Sequence, residues 1–461
     1  MPARAADTGL TGERLLERFL ALDAFLSEHQ GLWRPRPFTH LQLPWETQHP
    51  QLAQWLRQRS LAEAENSHNL PTELQAPAPF PHWAQLAARL SAVDKLPSGA
   101  LHTPPSRLNV DVPGRKWQQI EAFGAALQFA QRPGHWLDWC AGKGHLGRRL
   151  QQPGQQLTCL EYDPALVAAG KALSDHHRLP ALHREQDVMA EDAVQHLTRE
   201  HTPVALHACG DLHVRLLQLA SAAGCQHLAV APCCYNRIGS EQYQALSAPA
   251  RASALRLSRE DLGLPLSETV TAGARVRLQR DTSMARRLGF DQLQRQLRGR
   301  DEYLPTPSLP SEWLTRPFAD YCRHLAALKG LSTGEQDWPT LEQHGWQRLA
   351  QVRNLELVRG LFRRPLEVWL VLDRALFLQE NGYKAQVGHF CETSLTPRNL
   401  MVLAERDLRA GQPVDKSVDG IFEAPVFTGS TGQNADWSFF VHKIKRTQNR
   451  QLQRNENSST K

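Results

Sequence analysis

The spacing of apolar positions changes character along the chain. In GERLLERFLALDAFLSEH, Leu15, Leu16, Phe19, Leu20, Leu22 and Phe25 fall three and four residues apart, which predicts an amphipathic helix. HPQLAQWLRQRSLAEAE repeats that spacing, and APAPFPHW connects it to a further helix. Residues 1–110 are therefore expected to form a helical N-terminal unit, with LPSGALHTPPSRLNVDVPGRK as the loop leaving it.

Beyond about residue 111 short apolar runs alternate with helical patterns. HWLDWC, QLTCLEYD, PALHREQD, VALHACG and HLAVAPCCY are predicted strands. A helix starting near His145, PALVAAGKALSDH and DLHVRLLQLASAAG fall between them. This rhythm over 111–245 predicts an α/β, doubly wound, mostly parallel sheet. Residues 246–350 return to helical spacing and read as an insertion, a candidate substrate-binding region. PLEVWLVLDRALFLQENGY then predicts a long helix, and KAQVGHFC and NLMVLAERD two strands, so 351–440 is expected to complete the sheet. The polar, basic segment 441–461 is expected to be a disordered tail.

Composition narrows the class without naming it. The 461 residues are 41% hydrophobic, enough for a sizeable core. Absence of a long uncharged apolar run argues against a membrane partner, and the N-terminus lacks the basic-then-apolar pattern of a secretory signal. The eight cysteines are scattered apart from Cys233 and Cys234, so a reduced, cytoplasmic protein with no disulfide-linked partner is expected. A net charge of +6 suits a nucleic-acid partner, and equally a small anionic ligand.

The stretch DWCAGKGHLG at 138–147 carries the first chemistry. Gly142, Gly144 and Gly147 match G-x-G-x-x-G after a predicted strand and before a predicted helix, and Glu161 follows Gly142 by 19 residues. Such glycines let backbone approach a ligand, and an acid at the next strand end can accept from ribose hydroxyls. A phosphate-cradling loop of the G-x-x-x-x-G-K-[ST] type is excluded by its missing glycine and by His145. Asp138, four residues before the first glycine, would repel a pyrophosphate but suits the cationic methionine end of S-adenosylmethionine. Cys140, His145 and Tyr162 belong to the same expected cofactor site. Asp163 is a predicted N-cap ahead of Pro164. Asp187 is either an acceptor for an adenine amino group or a strand-end cap.

ALHACGDL and APCCYN fall at the predicted carboxyl ends of the fourth and fifth strands, which in an open α/β sheet border the ligand crevice. His207 and Cys209 are placed with the cofactor. Pro232, Cys233, Cys234 and Tyr235 are placed with the substrate: Pro232 stiffens the strand end, backbone carbonyls accept from the target group, and Tyr235 stacks on a planar acceptor. A soft-ligand metal site and a nucleophilic thiolate are the competing readings. Simple burial of small side chains is another. No metal is assigned, because adjacent cysteines rarely both reach one zinc comfortably and no C-x-x-C is present.

DWCAGKGHLGR, LHACGDL, PCCY and LTPRNLMVLAER together resemble a broad methyltransferase-domain family. It takes in methyltransferase-like proteins with a G-K-G-H loop and glutathione-transferase C-terminal-domain-containing proteins. The resemblance spans about 115–240 and 360–410. It implies a class I, Rossmann-like, seven-stranded fold that binds S-adenosyl-L-methionine through Asp138, Gly142, Gly144 and Glu161. A more distant likeness is to a tRNA 2′-O-methyltransferase, whose Cys-Cys-His-His run is here Cys233-Cys234-Tyr235-Asn236. The expected activity is S-adenosylmethionine-dependent methyl transfer to RNA. Arg286, Arg287, Arg295, Arg298, Arg300, Arg359, Arg363 and Arg364 are the candidate phosphate contacts. A protein acceptor, or binding of the cofactor without catalysis, are the alternatives.

Overall fold

A computed structural model describes residues 9–267 and 274–406. The tail expected at 441–461, and 407–440 before it, lie outside the described residues. A short strand, β1 (Leu10–Thr11), precedes α1 (Glu13–Glu28), α2 (Gln30–Trp33), α3 (Pro50–Gln58), α4 (Leu61–Ser67) and α5 (Phe80–Ser91). The alternating core follows as α6 (Gly114–Ala125), β2 (His135–Trp139), α7 (His145–Leu150), β3 (Gln156–Glu161), α8 (Pro164–His176), β4 (Leu182–Glu185), β5 (His201–Cys209), α9 (Asp211–Ala222) and β6 (His227–Cys233). Next come α10 (Ala248–Ala252), α11 (Ala274–Arg298), α12 (Phe318–Leu328), α13 (Trp338–Gly360), α14 (Arg363–Glu380), β7 (Tyr383–His389) and β8 (Leu400–Arg406).

Local sequence explains several of these boundaries. Asp163 caps α8, its carboxylate accepting from the N–H groups of Ala165 (2.9 Å) and Leu166, with Pro164 at the first helical position. Ser60 and Glu63 form a capping box that starts α4, so HPQLAQWLRQRSLAEAE is two helices where one periodicity ran through.

All the strands join one sheet in the order β1-β7-β8-β6-β5-β2-β3-β4. β4, β3, β2, β5 and β6 run parallel, and β8 is antiparallel to both β6 and β7. The sheet therefore has eight strands, not the seven expected. The additional one is β1, whose Leu10 and Thr11 lie opposite Val387 and Gln386 on the edge strand β7. Two residues carry no alternation, so such an edge strand has no signature in the pattern.

Both faces of the sheet are covered. Leu137 and Trp139 of β2 pack in one apolar cluster with α9 and α14, while Trp136 joins Leu146 and Leu150 of α7 in the other. Asp138 lies on the α7 side of the strand. The described residues gather into one compact unit, and α1 packs on α14. Position 350, expected to end an insertion, falls inside α13, which packs along α11. Strand order runs from β2 outward to β3 on one side and to β5 on the other. The carboxyl ends of β2 and β5 thus flank a topological switch point, where an α/β sheet opens a ligand crevice.

Candidate functional site

The first wall of the crevice is the loop between β2 and α7. Cys140, Gly142 and Gly144 all have left-handed backbone, with φ of 56°, 59° and 73°. Gly142 meets nothing within 4 Å of where a side chain would begin, so open space lies above it. Gly147 is confined instead: a Cβ there would stand 2.5 Å from Leu157 Cδ1, so the third glycine serves close helix–strand packing.

Two carboxylates brace this loop from below. Asp138 Oδ2 accepts from the Gly147 N–H (2.9 Å). Glu161 Oε2 accepts from the Gly142 N–H (2.9 Å), and its Oε1 accepts from the Asp163 N–H (3.1 Å). Asp138 is only 3% exposed, and burial pushes its carboxyl up to about 6 against the opposing pull of the Gly147 N–H, Arg148 and Lys116. Asp138 is thus a brace for the loop, where direct pairing with a cationic ligand was expected. The buried His145 ring, with Nδ1 3.2 Å from an Arg148 guanidinium nitrogen, is pushed down to about 3 by burial and by Lys116, Arg148 and Lys143.

The second wall is made by the ends of β5 and β6. His207 has φ 62°, and the register with β6 shifts between Leu206 and Cys209, placing Cys209 opposite Cys233. His207 Nε2 pairs with Gln119 Oε1 of α6 (2.8 Å), whereas its Nδ1 is buried without a partner. Burial and the nearby Arg398 push that imidazole down to about 4. Cys234 has φ 46°, and the sulfurs of Cys209, Cys233 and Cys234 lie within 4.8 Å of one another. The Cys234 thiol is lowered by hydrogen bonds from Cys209 and Cys233 and, against its burial, by Arg398 and Arg237. Burial and the neighbouring sulfurs hold the Cys233 thiol up. Gly210 is required where the loops meet, because a Cβ there would stand 1.8 Å from the Arg237 carbonyl oxygen. Three of the six non-glycine residues with positive φ among the described residues, Cys140, His207 and Cys234, border this crevice.

Other expected site residues fall differently. Tyr235 is 1% exposed and packs beneath the site, with the Arg374 guanidinium 5.2 Å from its ring centroid and His213 at its edge. It offers no face for stacking on a substrate, because the turn at Cys234 directs the next side chain inward. Pro232 is buried within β6. The carbonyls of Cys233 and Cys234 accept from the N–H groups of Gly210 (3.1 Å) and Arg237 (2.9 Å), so each already holds one bond of the strand-end turns. Asp187 is exposed and forms a turn at the end of β4, its Oδ1 accepting from the Met189 N–H (2.9 Å). Tyr162 is 41% exposed beside Glu161.

The arginines expected to hold phosphates are mostly occupied within the fold. Arg295 pairs with Asp291 and Asp301 and donates to the Thr39 carbonyl. Arg286 donates to the Trp313 carbonyl, Arg287 to that of Thr306 and Arg359 to that of Trp33. Arg298 pairs with Glu302, Arg363 with His68, and Arg364 with Glu367 and Asn399. Arg300 is exposed. These guanidiniums tie the helical segments together, and the case for phosphate contact does not rest on them.

A different set of cations surrounds the crevice. Lys116 of α6 lies close enough to Asp138, Lys143 and Glu161 to act on them electrostatically. Arg398 and Arg237 do the same to Cys234. Lys116, Gln119 and Arg398 were not among the expected site residues. They come from a helix before β2 and a turn before β8, and no local motif ties those segments to the strand ends.

Residues 115–241, the segment that builds both walls, match a family model described as a methyltransferase domain. Over that segment the chain is similar to methyltransferase domains. The segment runs from the first turn of α6 to just past β6 and covers well under half of the chain. A structure of WbdD is similar at 18% identity over 27% of this chain and 25% of that one, with a TM-score of 0.20. The 23S rRNA methyltransferase ErmE is similar at 15% identity over 51% of this chain and 96% of that one, with a TM-score of 0.21. The chain thus spans a quarter of the WbdD chain it matches, and superpositions this loose carry no functional weight. No curated protein matches the sequence. Among the described residues, no helix is long and apolar enough to cross a membrane.

Proposed function

We propose that the protein is an S-adenosylmethionine-dependent methyltransferase whose cofactor lies over the loop after β2. The observation that carries this reading is the open, left-handed Gly142 tethered to Glu161, within a segment that matches a methyltransferase domain. The residues present fit the group. A ligand can approach Gly142 and Gly144 closely, and Glu161, at the end of β3, is the acidic group toward the ribose hydroxyls. Tyr162 and Asp187 lie at the ends of β3 and β4, on the side where an adenine would extend. When bound, S-adenosylmethionine supplies an already activated methyl group. The chain's own work is then alignment of the acceptor and exclusion of water. Asp138 holds the loop in register, and the ends of β5 and β6 form the opposite wall, against which the acceptor is placed.

The acceptor class we infer is an anionic one, RNA. Lys116, Lys143, Arg237 and Arg398 around the crevice favour phosphate, in place of the arginines of α11 and α13.

Two measurements test this. Titration calorimetry is expected to show S-adenosylmethionine binding that Gly142→Asp abolishes; the new side chain meets no atoms, and the left-handed backbone (φ 59°) costs the variant about 1–2 kcal/mol, leaving it folded with a lowered melting temperature. Unchanged binding in that variant would remove the cofactor assignment. Labelled methyl groups are expected in the RNA fraction of cells lacking the gene when purified enzyme is added. Label in protein alone would replace RNA with a protein acceptor, and label in neither would leave a binding module without catalysis.

A further inference from the structure

Cys233 and Cys234 are consecutive, and in a regular strand consecutive side chains point to opposite faces. Here they do not. The left-handed backbone at Cys234 (φ 46°) interrupts the alternation, and its sulfur turns back to the side that Cys233 occupies. On the neighbouring strand the irregularity between Leu206 and Cys209 has a matching effect, because it brings Cys209 opposite Cys233. Two separate departures from regular backbone, each of a kind that costs free energy, thus converge three thiols on one point. Simple space-filling by small side chains requires neither.

We propose that Cys209, Cys233 and Cys234 form a binding site for a single thiophilic metal ion, zinc. Sulfurs bound to one tetrahedral zinc stand about 3.8 Å apart for a Zn–S bond of ~2.3 Å. The Cys209 and Cys233 sulfurs are 3.6 Å apart, and all three lie within 4.8 Å of one another. Each thiol that binds gives its proton to solvent. Three thiolates around a divalent ion leave one net negative charge, and Arg398 and Arg237 are placed to offset it. The buried Nδ1 of His207, within electrostatic reach of Cys234, lacks a partner. Cys209 and Cys234 are only partly buried, so the cluster opens on the crevice side. An ion there keeps a position open, as in reactive rather than purely structural zinc sites. Such an ion would polarise an oxygen, nitrogen or sulfur donor of the acceptor.

The site stands apart from the methyl-donor reading, because metal binding is measured with no methyl donor present. Full-length protein, stripped with chelator and kept reduced, is titrated with zinc against a chromophoric chelator. One equivalent is expected to bind. Cobalt in its place is expected to give sulfur-to-cobalt charge transfer in the near ultraviolet and the intense visible bands of a tetrahedral thiolate site. Cys209→Ser and Cys234→Ser are each expected to weaken zinc binding by about a hundredfold or more. Cys322→Ser and Cys391→Ser, in other parts of the fold, should leave it unchanged. Absence of the cobalt charge-transfer band in the unmodified chain overturns the proposal whatever the variants do. So does a folded Cys234→Ser protein, judged by its melting curve, that still binds zinc as tightly.

Discussion

At the scale of single residues, the two acids of the crevice do related jobs at different cost. Glu161 has its two oxygens on the N–H groups of Gly142 and Asp163, whereas Asp138 accepts from that of Gly147 between β2 and α7, and both acids are buried. Burial raises the Asp138 carboxyl to about 6. Below about pH 3 it is protonated in the folded and the unfolded chain alike. As pH rises toward 6 the unfolded chain ionises first, and folded stability falls by up to about 3 kcal/mol before levelling off. Asp138→Asn keeps an acceptor for the Gly147 N–H and has nothing to titrate. Denaturant unfolding from pH 3 to 7 is therefore expected to show the variant gaining on the parent by about 3 kcal/mol across that window. A stability difference that stays constant with pH would mean that the carboxyl titrates alike in the folded and the unfolded chain.

At the scale of elements, α14 shows how a buried helix with charged residues is tolerated. Asp373 is 0% exposed, and its carboxylate accepts from the N–H groups of Leu246 (2.9 Å) and Ser247 (2.7 Å), the Ser247 hydroxyl (2.6 Å) and the Tyr243 hydroxyl. Arg374 next to it donates to His213 Nε2 (2.7 Å) and Tyr243 Oη (3.0 Å) while lying against Tyr235. Asp373→Ala orphans these donors and leaves Arg374 without its carboxylate neighbour, so a loss of about 3–5 kcal/mol is expected from the denaturation midpoint. A loss under about 1 kcal/mol would show that water replaces the carboxylate there. The strands from β2 to β8 and the helices α7, α8, α9 and α14 were legible from periodicity, because alternating apolar runs and glycine loops are local signals. The glycine loop was legible too. What its acids touch was not, since Asp138 looks inward only because α7 packs on that face. The inward turn of Tyr235 and the gathering of the three sulfurs were not legible for one reason: left-handed backbone at His207 and Cys234 redirects side chains that a regular strand would have alternated. The arginine-rich helices resembled a phosphate surface because partners such as Thr39 for Arg295 lie far away in the chain.

At the scale of the whole molecule, the N-terminal helices complete the sheet's cover. β1 extends the edge at β7, and α1 lies on α14, where Phe19 meets Trp369 and Phe25 stacks on Phe362, each at 5.0 Å between ring centroids. Asp23 of α1 accepts from both the Trp369 indole N–H (2.9 Å) and the Ser253 hydroxyl (2.6 Å). Arg34 reaches Asp261, and Arg59 reaches Asn354, so further contacts join the first sixty residues to segments hundreds of positions later. Leu15, Phe19, Leu22, Phe25 and Leu26 are buried in this interface. At about 2 kcal/mol for each large apolar side chain, their burial is comparable with the roughly 5–15 kcal/mol that separates a folded domain from its unfolded chain. α14 is apolar on nearly every side and cannot stand exposed along the face α1 covers. Removal of residues 1–28 is therefore expected to abolish the cooperative melting transition and to produce strong binding of a hydrophobic dye. Calorimetry of the full chain should accordingly show the N-terminal helices and the sheet segment 115–241 unfolding in one transition. A truncated chain that still melts sharply at the full chain's temperature would make the N-terminal unit a dispensable attachment, and would require α14 to be covered by another segment.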